Sequence, residues 1–287
     1  MSAGTGDGTA GFGRRLTAAR AARGPLCVGI DPSPSLLGAW GLTDDPAGLE
    51  AFCDTVLTAL ADRVAVLKPQ SAFFERYGSA GIAVLERTVA SARGAGALVL
   101  LDVKRGDIGS TAAAYADAYL HPRSPLAVDA LTVSPYLGVE ALRPAFAAAA
   151  THGAGVFVVA LSSNPEGASL QGARTADGVT VGASVLAAVA RENVGARPIG
   201  SVGAVVGATL GATLGSLDVD LAVNGPLLAP GLGAQGATAA DLRAVFGDAA
   251  GLVLPSVSRS VLAVGPGVAA LRDAARRTRD EVVAALG

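Results

Sequence analysis

The stretch LDVKRGDIGST, Leu101 to Thr111, sets Asp102, Lys104, Arg105 and Asp107 directly behind the apolar run GALVL, in a chain that is 51% hydrophobic and 16% charged. Residues of these types do proton chemistry. An ammonium fixed beside a reacting atom stabilises negative charge as it develops and can then deliver a proton. A neighbouring carboxylate keeps that ammonium charged, whereas burial alone would lower its pKa. Side chains alternate along an extended strand, so Asp102 and Lys104 point to one side, toward an interior, and Val103 to the other. Asp107 lies past the strand end, in RGD, and need not share that direction. Charges packed inside a protein are costly unless they pair or meet a ligand. On the outside the same residues would form a surface ion-pair cluster at a strand–helix junction, nearly neutral energetically.

A second pattern suits an anion. GLGAQG, Gly231 to Gly236, reads G-x-G-x-x-G ahead of the helical stretch ATAADLRAVFG. Bare backbone N–H groups and a helix N-terminus attract phosphate. Arg259, in SVSRSVL, offers a forked guanidinium that fits one, with Ser258 and Gly233 near it. The same glycine pattern opens dinucleotide-binding domains. Here only 51 residues follow Gly236, too few for the rest of such a domain, and no acid stands at a strand end about 20 residues on.

The elements that must position these residues are short apolar runs. Strand candidates are LCVGID (26–31), VAVLKP (64–69), ALVLLDVK (97–104), VDALTVSP (128–135), GVFVVALSS (155–163), IGSVGAVV (199–206), DLAVNGPLLAP (220–230) and GLVLPSVS (251–258). They are nearly continuously apolar rather than alternating, as in parallel strands covered by helices on both faces. Between them lie amphipathic stretches such as GLEAFCDTVLTALADR and GIAVLERTVASARGAG, the second ending in glycine where a helix C-cap belongs. Eight β–α units without a long linker predict an α/β fold, a single (β/α)8 TIM barrel domain over residues 1–287, with FGRRLTAARAARG as an extra N-terminal helix. In such barrels chemistry gathers at the C-terminal ends of the strands, and phosphate sites form in the loops after strands seven and eight. Asp31, Lys68, Asp102 with Lys104, and Ser163 end the first, second, third and fifth strands, while GLGAQG and SVSRSVL follow the seventh and eighth. Residues far apart in sequence would converge on one mouth.

The remaining composition excludes several classes. A formal charge of −2 offers no general attraction for nucleic acid or anionic lipid. Cys27 in a predicted strand and Cys53 in a predicted helix are too few for a disulfide framework and lack metal-ligand spacing, so both read as buried thiols. His121 and His152, the only histidines, have no nearby acid or Cys pattern for a metal and read as surface residues, and no G-x-S-x-G elbow serves a hydrolase. QSAFFERYG reads as packing aromatics, and Trp40 has no readable role. Ile199 to Leu217 is 19 residues without a charge, with Gly203, Gly207, Gly211 and Gly215 four apart as on a helix-dimer face. Rich in Gly, Thr and Ser rather than Leu, it reads instead as a strand, a loop and a helix. MSAGTGDGTAGFGRRL lacks the apolar core of a signal peptide, so a cytoplasmic location is the expectation.

LDVKRGDIGST resembles the D-x-K-x-x-D signature of orotidine 5′-phosphate decarboxylases, in the branch whose gap is filled by Arg-Gly. The likeness extends to VGIDPSP on the first strand, LKPQSAFFE on the second, LSSNPEG on the fifth, PGLGAQG on the seventh and SVSRSVL on the eighth. The resemblance implies decarboxylation of orotidine 5′-monophosphate to UMP in pyrimidine synthesis, with no cofactor and no metal. It implies an alternating array of Lys68, Asp102, Lys104 and Asp107, with Asp31 and Lys68 on ribose hydroxyls and Asp102 and Lys104 beside the reacting pyrimidine carbon. Loss of CO2 from a ring carbon without an adjacent electron sink leaves a carbanion, which Lys104 would stabilise and protonate. Asp102 would face the substrate carboxylate and disfavour it relative to the transition state. Asp107, with Ile108 and Thr111, would reach the neighbouring subunit's site across a homodimer interface. Ser163 would bond the pyrimidine amide edge and Gln235 would span phosphate and base. Pro230, Gly233, Ser258 and Arg259 complete the implied substrate-binding set. The sequence departs from the family pattern in SRS, where a Gly-Arg pair is common in the better-known branch, and in the repetitive GATLGATLGSL. The loop LSSNPEGASLQGARTADG is expected to close over ligand.

Two other readings share these residues. A relative on the same barrel, also with D-x-K-x-x-D, acts on sugar phosphates through a Mg2+-bound enediolate; it would need metal and leave Gln235 and Ser163 without purpose. A non-catalytic nucleotide-binding barrel would have no need of Lys104 and both motif aspartates.

Overall fold

Eight parallel strands hydrogen-bond in chain order and close on themselves, β1 pairing with both β2 and β8. They are β1 (Cys27–Ile30), β2 (Val66–Pro69), β3 (Leu98–Arg105), β4 (Ala130–Val133), β5 (Gly155–Leu161), β6 (Val202–Val206), β7 (Leu227–Pro230) and β8 (Val253–Val257). This computed structural model describes residues 10–286, except 234 and 235 and the side chains of 212 and 216. Every strand candidate is a strand, and helices alternate with the strands as in a (β/α)8 barrel. Most strands are shorter than their apolar runs, because flanking residues form the turns. Asp129, just ahead of β4, shows why: its carboxylate accepts from the N–H of Val99 and ties the start of β3 to the turn.

Local chemistry starts the helices. Asp45 caps Pro46–Leu60 by accepting from Gly48 N at 2.8 Å, and Thr238 and Asp241 form a capping box on Ala239–Phe246. Between this helical shell and the sheet lies the larger apolar core.

The barrel interior holds a second core, and its floor is the extra helix α1 (Phe12–Arg23). Phe12 is fully buried, edge-on to Phe157 at 5.8 Å. A Cβ on Gly155 would stand 2.5 Å from the Phe12 ring, so glycine is what lets the plug seat. Arg15 then clamps the helix, 2.5 Å from Asp129 and 2.9 Å from the carbonyl of Gly153.

Several smaller expectations resolve here. Residues 199–217 form β6, a loop and the helix Gly211–Leu217, and among the described residues no helix is long and apolar enough to cross a membrane. Gly207 packs on Ser163, where a Cβ would come within 3.0 Å, so one of the spaced glycines serves strand-end packing. Cys27 and Cys53 are buried, and burial pushes both thiols up to about 12. Trp40 has a role that the sequence did not disclose: its Nε1 donates to the carbonyl of Leu262 at 3.0 Å and its ring lies 4.3 Å from that of Phe52.

Candidate active site

A cavity of about 280 Å3 opens at the C-terminal ends of the strands, lined by Asp31, Lys68, Asp102, Lys104, Thr132, Pro230, Ser258 and Arg259 among others. Its base is an ion-paired array. Lys68 Nζ lies 2.9 Å from Asp102 Oδ2, with the two side chains only 8% and 10% exposed. Lys104 Nζ lies 2.6 Å from the other oxygen, Oδ1, but its side chain is 49% exposed, so it is the member that faces outward. Burial alone would raise the Asp102 carboxyl; the ammonium groups of Lys68 and Lys104 outweigh it and hold the carboxyl well below the usual carboxylate range. Burial would likewise lower Lys68, yet Asp102 and Asp31 hold it above the ordinary lysine value. Both members of the buried pair are therefore charged.

The strand delivers these side chains as the alternation predicts, but not by regular geometry. Asp102 and Lys104 both line the cavity while Val103 packs in the outer core. Between Leu101 and Arg105 the register on β4 shifts, and Lys104 takes φ +44°. Thr132 donates to Asp102 Oδ1 at 2.8 Å. Gln70, just past β2, donates to the backbone carbonyl of Asp102 at 3.4 Å.

Across the mouth, Asp31 Oδ1 and Ser258 Oγ are buried without a hydrogen-bond partner among the described residues. Buried polar atoms are almost always satisfied, so two orphans facing one cavity mark where polar groups of a ligand belong. Arg259 follows Ser258, and Pro230, Gly231 and Leu232 bring the loop after β7 beside it. Gly233 does not line the cavity, although it sits against Ser260 with φ +77°. Gln235 lies outside the described residues.

Three expected residues are not among those lining this chain's own cavity. Asp107 Oδ1 accepts from Ile108 N at 2.8 Å, Ile108 is 61% exposed, and Thr111 is exposed on the first turn of the helix Gly109–Leu120. Ser163 packs beside Gly207 and is not among the cavity residues.

Three polar residues of the mouth were not singled out from sequence, nor were the apolar Val205 and Leu228 that line it. Thr132 is one hydroxyl inside the apolar run VDALTVSP, Gln70 stands two past Lys68, where strand alternation already placed it on the same face, and Ser256 stands two before Ser258 in SVSRSVL. The histidines lie elsewhere, with His121 and His152 edge to face at 5.2 Å. Among the described residues no group of three or more His, Cys, Asp or Glu is arranged to hold a metal ion.

Comparison with known proteins agrees with this geometry. A family model described as the orotidine 5′-phosphate decarboxylase / HUMPS family matches residues 24–274. An orotidine 5′-phosphate decarboxylase of Salinispora arenicola is 67% identical over 275 residues, 96% of this chain and 98% of that protein. Its namesake in Streptomyces coelicolor is 63% identical over 271 residues, 94% and 96% of the two chains. The crystal structure of a Streptomyces avermitilis protein proposed to be the same enzyme has a TM-score of 0.95 at 60% identity, covering 100% of this chain and 99% of that one. Leishmania donovani OMP decarboxylase gives a TM-score of 0.78 at 30% identity over 96% and 99%. A closed (β/α)8 barrel, a charged mouth and relatives matched along nearly their whole length converge: the chain belongs to the orotidine 5′-phosphate decarboxylase / HUMPS family.

Proposed function

We propose that the chain decarboxylates orotidine 5′-monophosphate to UMP, as a single-domain cytoplasmic enzyme of pyrimidine synthesis. The observation that carries the reading is the Asp102 carboxylate held between Lys68 Nζ at 2.9 Å and Lys104 Nζ at 2.6 Å at the cavity base. The bond from the ring carbon to its carboxylate breaks, CO2 leaves, and the electron pair stays on the carbon. Lys104 stabilises that pair and gives it a proton, and the lysine regains its proton from solvent. Asp102 fixes both ammonium groups and sets a negative charge where the substrate carboxylate must approach. The reaction drawn this way calls on no metal and no cofactor.

Asp31 and Lys68 take the ribose hydroxyls, for which the orphaned Asp31 Oδ1 is suited. Arg259, Ser258, Pro230, Gly233 and Gln235 form the phosphate end, and Ser163 meets the base once its loop closes. Asp107, Ile108 and Thr111 serve a second subunit across a two-fold interface. Their absence from this chain's cavity lining and the 61% exposure of Ile108 support that role.

The sugar-phosphate reading is less favoured, because the relatives at 67% and 63% identity carry the decarboxylase name. The test is the fall in absorbance when purified protein in EDTA meets orotidine 5′-monophosphate, with Lys104→Ala alongside. Turnover by the wild type and near silence in the variant is the expected result; a requirement for Mg2+ and sugar phosphate would replace the reading.

A further inference from the structure

β3 and β4 run in register at Leu100 with Ala130 and Leu101 with Leu131, and meet again at Arg105 with Val133. Asp102, Val103 and Lys104 therefore stand opposite Thr132 alone. Inside that bulge Lys104 takes φ +44°, a left-handed backbone that lysine seldom adopts and that persists only where its surroundings enforce it. A bulge also strips N–H groups of their ladder acceptors. Thr132, 1% exposed, supplies the missing acceptor: its Oγ1 receives the N–H of Val103 and the N–H of Lys104, each at 3.0 Å.

A hydroxyl has two lone pairs and one proton. With both lone pairs occupied, the Thr132 proton goes to Asp102 Oδ1 at 2.8 Å, the same oxygen that receives Lys104 Nζ at 2.6 Å. One side chain thus fixes the backbone of Lys104 and the carboxylate on which its ammonium rests. As a β-branched residue it is stiff at χ1, which suits a part that must not swing.

We propose that Thr132 is a positioning residue: its hydroxyl holds the β3 bulge that aims Lys104 at the reacting carbon, a role that rests on the decarboxylation proposed above. It acts through Lys104 and not as a proton carrier. Thr132→Val exchanges the hydroxyl for a methyl and removes all three hydrogen bonds; Thr132→Ser keeps them.

The experiment measures kcat and KM for both variants and solves the crystal structure of Thr132→Val. The expected result is a fall in kcat of about 100-fold for the valine variant, the scale of a displacement near 1 Å, with KM little changed and serine close to wild type. A valine variant with wild-type kcat overturns the proposal, and so does a serine variant that loses as much as valine. Should the valine variant not fold, Thr132→Ala takes its place against serine under the same criteria. The crystal structure reads the inference without turnover. Lys104 leaving the left-handed region, with Nζ off Asp102, supports it, and an unmoved Lys104 overturns it. Silence of the wild type toward orotidine 5′-monophosphate removes the decarboxylase reading, while the structural arm still decides whether Thr132 places Lys104.

Discussion

Lys68 Nζ lies 2.9 Å from Asp102 Oδ2, and both side chains are almost wholly withdrawn from water. Removing one partner of such a pair typically costs about 3–5 kcal/mol, because the remaining charge is stranded. Asp102→Asn should lose stability on that scale in urea unfolding at neutral pH.

The pH dependence of that loss follows from the sign of the shift. The Asp102 carboxyl is held below the unfolded value of 3.8, so its contribution is complete above that value and fades as pH falls through and below it. Stability curves of the wild type and Asp102→Asn should run parallel from neutrality to about pH 4, and the gap should narrow only as pH falls below 3.8, still shrinking at the lowest pH at which the protein is folded. A gap that stays constant to the lowest pH would show that the ion pair is not its source.

Arg259 lines the cavity, and in the proposed reaction it meets the substrate phosphate. Hydrogen bonds to charged groups contribute about 1.5–3 kcal/mol, so Arg259→Ala should weaken UMP binding about 10- to 100-fold by calorimetry. Uridine, which lacks the phosphate, should bind both proteins alike. Equal losses for the two ligands would place Arg259 away from the phosphate.

The proposed two-fold sharing of Asp107 has a test by mixing. Lys104→Ala and Asp107→Ala homodimers should each be nearly inactive. A heterodimer carries one intact site of two, so subunit exchange should restore about a quarter of wild-type activity. No recovery, with heterodimers demonstrated by mass, would confine Asp107 to its own subunit.

The floor of the barrel makes a separate claim. Phe12→Ala empties the position between Phe157 and Gly155 and should cost about 3–5 kcal/mol in chemical denaturation, while folded enzyme keeps its KM. A variant of unchanged stability would show that α1 is dispensable to the inner core.

How much of this was readable in the chain depended on the kind of interaction. The strands were legible because parallel strands buried on both faces demand apolar runs such as ALVLLDVK and GVFVVALSS. Asp102 and Lys104 were legible because strand alternation outlasts the irregularity that delivers them. The bulge itself was not, since a single threonine in VDALTVSP carries no periodic signal and acts through three hydrogen bonds to another strand. FGRRLTAARAARG was recognisable as a helix, yet its task as a plug rests on Gly155, far along the chain. Contacts between remote residues, such as Trp40 with Leu262 or His121 with His152, leave no local trace.

The plug reaches beyond stability. Phe12, Leu16, Cys27, Val66, Leu100 and Phe157 fill the barrel beneath the charged array, all of them fully buried. The cavity above them lies at the C-terminal ends of the strands, where Lys104 is half exposed. With the barrel packed beneath it, ligand and product pass at the strand C-terminal end and not through the barrel. The traffic rule of a turnover is therefore set at the opposite end of the molecule from the chemistry.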